Sequence, residues 1–213
     1  MNSIELHNIL PYVFEGRDVQ SEIWLQDVVF QKGETYLVEA SSGTGKSSLC
    51  SYIIGYRKDY LGNICFDGND IRQHKVSDWI NIRKHSLSLL FQELRLFPEL
   101  TAMENIDIKN GLTNHKSRKE IETWFERLGI ADKMNAKVGR MSFGQQQRVA
   151  MIRALVQPFD FLMADEPISH LDDENGAIMA SIMMEEVKRQ GAGVIITSIG
   201  KHMQLPYAKT FRL

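Results

Sequence analysis

Four short runs of β-branched and aliphatic residues, at 35–39, 87–91, 159–164 and 194–197, alternate with longer stretches of helical periodicity. Strands joined through helices pair in parallel and need cover on both faces, so this alternation restricts the chain to the α/β class. Two further stretches, at 21–30 and 62–67, alternate more loosely and end in the turn signals Lys32-Gly33 and Asp67-Gly68. They predict an antiparallel β addition beside a mostly parallel sheet.

From about 93 to 157 the pattern becomes helical: Ile121, Trp124, Phe125 and Leu128 recur at i, i+3, i+4 and i+7. Ser117 and Glu120 predict a capping box at the start of that helix. No repeat or Gly/Pro/Ser linker interrupts the chain, so its 213 residues are read as one domain, 1–213, with a helical subdomain at about 93–157 inserted in the core. A formal net charge of −2 offers no overall basic field, so nucleic acid is not an expected partner. The longest uncharged stretches fall well short of the roughly 18 apolar residues of a membrane span. Residues 1–10 lack a basic start and an apolar core, so cytoplasmic residence is expected. Cys50 and Cys65 are too few for a disulfide framework and are read as reduced, packed thiols.

The strand at 35–39 runs into Ala40-Ser41-Ser42-Gly43-Thr44-Gly45-Lys46-Ser47-Ser48 and then a helical stretch. A phosphate loop has this context and the pattern G-x-x-x-x-G-K-[ST]. Here Gly45, Lys46 and Ser47 fit, while Ala40 replaces the first glycine. Backbone N–H groups of 42–48 would cradle phosphate oxygens, Lys46 would neutralise their charge, and the Ser47 hydroxyl would ligate Mg²⁺. An alanine at 40 is harmless provided its φ is negative. The run at 159–164 ends in Asp165-Glu166. Strand carboxyl ends line the ligand crevice of a parallel sheet, which brings Asp165 toward Mg²⁺ and Glu166 toward a terminal phosphate as a base for water.

Just before that run stands Met141-Ser142-Phe143-Gly144-Gln145-Gln146-Gln147-Arg148. With it the sequence resembles the ATP-binding cassette family, the nucleotide-binding subunits of ABC transporters. The family signature L-S-G-G-Q is kept as Ser142, Gly144 and Gln145, with Phe143 in place of the first glycine. The resemblance extends over nearly the whole chain and implies a P-loop NTPase core with ATP and Mg²⁺ as cofactors. It also implies that the Ser142 helix faces the γ-phosphate held by an opposing subunit, an anion suited to a helix N-terminus. Gln92 looks like the Q-loop, implying metal and catalytic contact, and Ser169-His170-Leu171-Asp172 looks like the D-loop, bringing Asp172 to the nucleotide. Ser198 stands where the family usually carries a switch histidine and takes that place in the catalytic set. His202, farther along, is an open candidate for compensation. The aromatic that stacks on adenine is expected at Phe14, with Tyr12 as the alternative.

Residues 97–106 and the small size are similar to the lipoprotein-release, macrolide-export and FtsE-like group. That resemblance implies a bacterial transport ATPase that forms a homodimer around two ATP molecules. It would associate peripherally, at the inner membrane face, with a separate transmembrane permease. A regulatory ATP switch of an envelope complex is the alternative. Leu94, Leu96, Phe97 and Leu100 crowd the segment after Gln92 and either meet the permease or fill the helical lobe.

Overall fold

Residues Phe161–Asp165 and Gly193–Ser198 are buried at every position, which a strand accepts only with both faces covered. The computed structural model describes all 213 residues and sets these strands in the middle of a parallel sheet. In chain order the elements are β1 (Ser3–Pro11), β2 (Asp27–Gln31), β3 (Thr35–Glu39), α1 (Lys46–Ile53), β4 (Tyr60–Phe66), β5 (Asn69–Asp70), α2 (Val76–His85) and β6 (Leu87–Leu90). There follow α3 (Ala102–Asn110), α4 (Arg118–Arg127), α5 (Phe143–Leu155), β7 (Phe161–Asp165), α6 (Asp173–Gln190), β8 (Gly193–Ser198) and β9 (Lys209–Arg212).

The parallel sheet has the order β6-β7-β8-β3-β9, and an antiparallel sheet has the order β2-β1-β4-β5. The molecule is thus the mixed α/β fold expected of the sequence. One apolar cluster joins the parallel sheet to α5 and α6 through residues such as Val149, Ile152, Met179 and Met183. The other fills the space toward the antiparallel sheet with Leu49, Ile53, Phe30 and Trp24.

Several local expectations change. The run 21–30 is a strand only over Asp27–Gln31. Before it, the Ser21 hydroxyl accepts the Ile23 and Trp24 amides at 3.0 and 2.9 Å, closing a turn. The N-terminal residues form β1, which pairs with both β2 and β4 at the centre of the antiparallel sheet. Its alternation breaks at a register shift between His7 and Leu10, around Asn8 at φ 49°, so the period-2 signal is lost midway. The edge strand β9 is too short and polar to announce itself and exists by pairing with β3.

Between β6 and β7 the first regular helix, α3, begins only at Ala102. Ser117 and Glu120 do make the expected capping box of α4, and Thr101 with Glu104 makes another at α3.

Candidate functional site

The carboxyl ends of β3, β6, β7 and β8 converge, as those of neighbouring parallel strands must. From β3 the chain turns through residues 40–45 into α1. Ala40 donates its amide to the Ser198 carbonyl at 3.0 Å and has a negative φ, so the missing glycine costs nothing. Gly45, at φ 101°, caps α1, and a β-carbon there would lie 2.9 Å from the Trp24 ring. Only glycine therefore lets the loop settle on Trp24, whose indole N–H donates to the Thr44 carbonyl at 2.9 Å. Trp24 lies in a turn inside the 21–30 stretch whose alternation predicts a strand, so nothing local marks it as the support of this loop.

At the start of α1, the Ser47 hydroxyl donates to Asp165 Oδ2 at 2.8 Å and lies 3.3 Å from Gln92 Oε1. Asp165 is buried, and its other oxygen accepts the Thr197 hydroxyl. Lys46 Nζ lies 2.7 Å from Glu166 Oε1, with the two side chains only 7% and 11% exposed. The approach falls outside hydrogen-bonding geometry, so this is an ion pair and no donor is aimed at Glu166 Oε1. Glu166 adopts φ 50°, a left-handed conformation that is uncommon for a side-chain-bearing residue. Its backbone is held on both sides: its amide donates to the Thr197 carbonyl, and its carbonyl accepts Gln147 Nε2 at 3.2 Å. Gln147 is a site-supporting residue that sequence reading passed over, because it looks like one more polar position of the signature helix.

Ser42 and Gly43 are exposed on the loop, and the Thr44 hydroxyl donates to the Ser41 carbonyl. The Ser48 hydroxyl instead accepts Arg57 Nη1 at 2.9 Å. Phe14 lines a cavity of about 270 Å³ together with Trp24, Gly43 and Thr44, whereas Tyr12 does not line it and is half exposed. Within α1, burial and then the charge of Asp165 push the Cys50 thiol up, so it stays protonated and packed.

The signature residues form a second group. Ser142 caps α5 by accepting the Gln145 amide, and Gln145 Oε1 accepts the Ser142 amide at 3.0 Å. At Gly144 a β-carbon would meet Leu171 at 3.2 Å, so the glycine lets the 168–172 loop pack on this helix. Phe143, 43% exposed, packs its ring against that of His170 at a tilt of 58°, with the centroids 4.3 Å apart. Asp172 caps α6 by accepting the Asn175 amide at 2.8 Å, and this bond leads in holding its carboxyl below the ordinary range. No hydrogen bond or ion pair joins Ser142, Gly144 or Gln145 to residues 40–48 of the same chain.

Ser198 is fully buried at the end of β8, and its hydroxyl donates to the Lys201 carbonyl. The His202 ring lies against Tyr207, beside a cavity of about 550 Å³ between α6 and residues 200–205.

A phosphate loop followed by a strand ending in paired acids, on a parallel sheet, defines a nucleotide-binding fold. Within that class the chain belongs to the ABC transporter family, whose sequence model matches residues 26–169. Rv0073, an uncharacterized ABC transporter ATP-binding protein of Mycobacterium tuberculosis H37Rv, is 30% identical over 98% of this chain. The chain spans only 63% of that protein's length. The macrolide export ATP-binding/permease protein MacB of Shewanella sp. strain ANA-3 is 31% identical over 81% of this chain and 26% of its own. A dimeric structure of MJ0796, a bacterial ABC transporter cassette, superposes with a TM-score of 0.78 at 24% identity, covering 92% of this chain and 87% of that one. A dimeric post-hydrolysis state of MJ0796 bound to ADP and Pi superposes at 0.74 with 25% identity over the same shares. This chain is an ABC ATP-binding cassette, a type of domain that binds and hydrolyses ATP.

Proposed function

We propose that this chain is the ATP-hydrolysing subunit of a bacterial ABC transporter. It is a single cassette domain, 1–213, with a helical subdomain at about 93–157, and it dimerises around two MgATP to drive a separate permease from the cytoplasmic membrane face. The observation that carries this reading is the meeting of Ser47, Gln92 and Asp165 beside the Lys46–Glu166 pair.

In this reading ATP lays its phosphates along the amides of 42–48 with adenine on Phe14. Ser47 Oγ, Gln92 Oε1 and Asp165 Oδ2 are hard oxygen donors of the kind Mg²⁺ prefers, and a bound Mg²⁺ would neutralise charge on the β- and γ-phosphates. Lys46 leaves Glu166 for the incoming phosphate oxygens, so nucleotide binding itself releases the base. Glu166 then accepts a proton from water as the water oxygen bonds to the γ-phosphorus. The bond to the β,γ-bridging oxygen breaks, giving ADP and phosphate. The second copy contributes its Ser142 cap and Gly144 to the γ-phosphate, with Gln145 and Asp172 beside them, since neither group reaches the nucleotide loop of its own chain.

A slow regulatory switch of an envelope complex is the second reading. It is favoured by one observation: the Ser198 hydroxyl is already committed to the Lys201 carbonyl, so position 198 presents no donor to the γ-phosphate. Movement of substrate across permease-containing vesicles on ATP addition supports the pump, and its absence despite hydrolysis supports the switch. The ATPase itself is tested by Glu166→Gln. Phosphate release should stop while light scattering records a long-lived ATP-bound dimer. If hydrolysis and dimer lifetime stay as in the parent chain, Glu166 is not the base.

A further inference from the structure

The outer face of the antiparallel sheet, away from the nucleotide loop, brings together an imidazole, a carboxylate and a thiol. Glu5 and His7 are two apart on β1, so they project from the same face, and Glu5 pairs directly with Cys65 of β4. Their donor atoms all lie within 4.8 Å of one another. Ligands of one tetrahedral zinc lie roughly 3.3–3.8 Å apart, as its bond lengths of about 2.0–2.3 Å require, so small side-chain rotations close the set.

The surroundings prepare each donor. His7 pairs across the sheet with Asp27, and its Nδ1 lies 3.3 Å from Asp27 Oδ1. Asp27 is itself steadied by Asn8 Nδ2 at 3.2 Å. A carboxylate on one ring nitrogen places the proton there and turns the lone pair of the other toward a metal. That other nitrogen, Nε2, faces Glu5 Oε2 at 3.7 Å. Glu5 Oε1 is occupied by the Ser3 hydroxyl at 2.6 Å and the Gly68 amide at 3.2 Å, which leaves Oε2 for the cluster. The Cys65 side chain, on the strand paired with β1, brings its sulfur to the same cluster. A cation at the centre of the cluster would engage all three donors.

We propose that Glu5, His7 and Cys65 bind a thiophilic divalent cation of the zinc class, with Asp27 as the positioning residue of His7 and water in the fourth place. The mixture of sulfur, nitrogen and oxygen selects zinc or cobalt over Mg²⁺. The probe is Co²⁺ added to the full, reduced, metal-stripped chain without nucleotide, because a thiolate-to-cobalt charge-transfer band reports sulfur ligation directly.

One equivalent should develop that band, and Zn²⁺ should bleach it. Cys65→Ser should abolish the band, while Cys50→Ser and Asp165→Asn, which alter the other thiol and the nucleotide site, should leave it intact. Because Cys65 is largely buried, the exposed His7→Gln gives an independent check and should weaken Co²⁺ at least tenfold with the circular dichroism unchanged. Asp27→Asn should weaken it by about 10–100-fold while keeping the band. Absence of the band, its survival in Cys65→Ser, or undiminished affinity in His7→Gln would overturn the proposal.

Discussion

Lys46 and Glu166 form an ion pair across 2.7 Å in a nearly enclosed site, so in the proposed mechanism a nucleotide must separate them before either can act. A left-handed glutamate stores on the order of 1–3 kcal/mol of strain, and here the Thr197 and Gln147 contacts hold it in place. Lys46→Ala removes a charge-assisted contact to phosphate, worth about 1.5–3 kcal/mol. Calorimetry should therefore show MgATP binding on the order of 10²-fold weaker. Unchanged affinity would mean that the nucleotide does not occupy this loop. At position 198, serine is short and turned away, whereas histidine could reach the γ-phosphate and help orient the attacking water. Restoring one preorganised donor is worth about 10²-fold in rate, so Ser198→His should raise steady-state phosphate release toward that factor. No gain in turnover would show that the site does not depend on a donor there.

At the scale of elements, α5 links two loops of the site. Near its start, Gln147 holds the carbonyl of Glu166, and near its end Arg153 donates to the carbonyls of Leu94 and Arg95, which follow Gln92 in left-handed conformations. The helical layer is in turn tied to α6 by a buried pair: Lys116 Nζ lies 2.6 Å from Glu186 Oε2 and 4.8 Å from the Trp124 ring. Burial alone would raise the Glu186 carboxyl, but bonds from Arg189, Lys116 and Gln190 together hold it below its ordinary 4.5. A carboxylate lowered in the native state contributes stability that is complete above its unfolded value and is lost as pH falls through the native one. Lys116→Met removes one partner and should cost about 3–5 kcal/mol near neutral pH, read from urea denaturation. Its stability should also decline less steeply than that of the parent chain below pH 4.5. Equal loss at every pH would show that the pair is not the source.

At the scale of the whole molecule, an exposed apolar surface stands beside the site. Leu94 is buried in the core, but Phe97 is 52% exposed and borders a cavity of about 270 Å³ with Tyr56, Arg95 and Ile108. The crowded apolar segment after Gln92 therefore divides, with Leu94 in the core and the Phe97 side chain half exposed. Phe97→Glu should leave the melting temperature nearly unchanged, as surface substitutions do, and should abolish co-purification with the permease. Early melting or aggregation of this variant would assign Phe97 to the fold instead.

The α/β class and the caps at Ser117 and Ser142 were legible in the sequence, because each rests on local periodicity or on residues a few positions apart, while the order of the nucleotide motifs was legible through the resemblance to the family. The same holds for the glycines of the loop, whose backbone freedom belongs to the residue itself. Strands β1 and β9 were not legible, since a bulge interrupts the first and pairing with β3 alone makes the second. Trp24 beneath Gly45, Gln147 on the Glu166 carbonyl and the turn of Ser198 toward Lys201 likewise came only from the tertiary structure. Apart from that last turn, these contacts join residues distant in sequence, and in every one the direction a polar atom or ring takes is set by whichever neighbours the packing brings within reach.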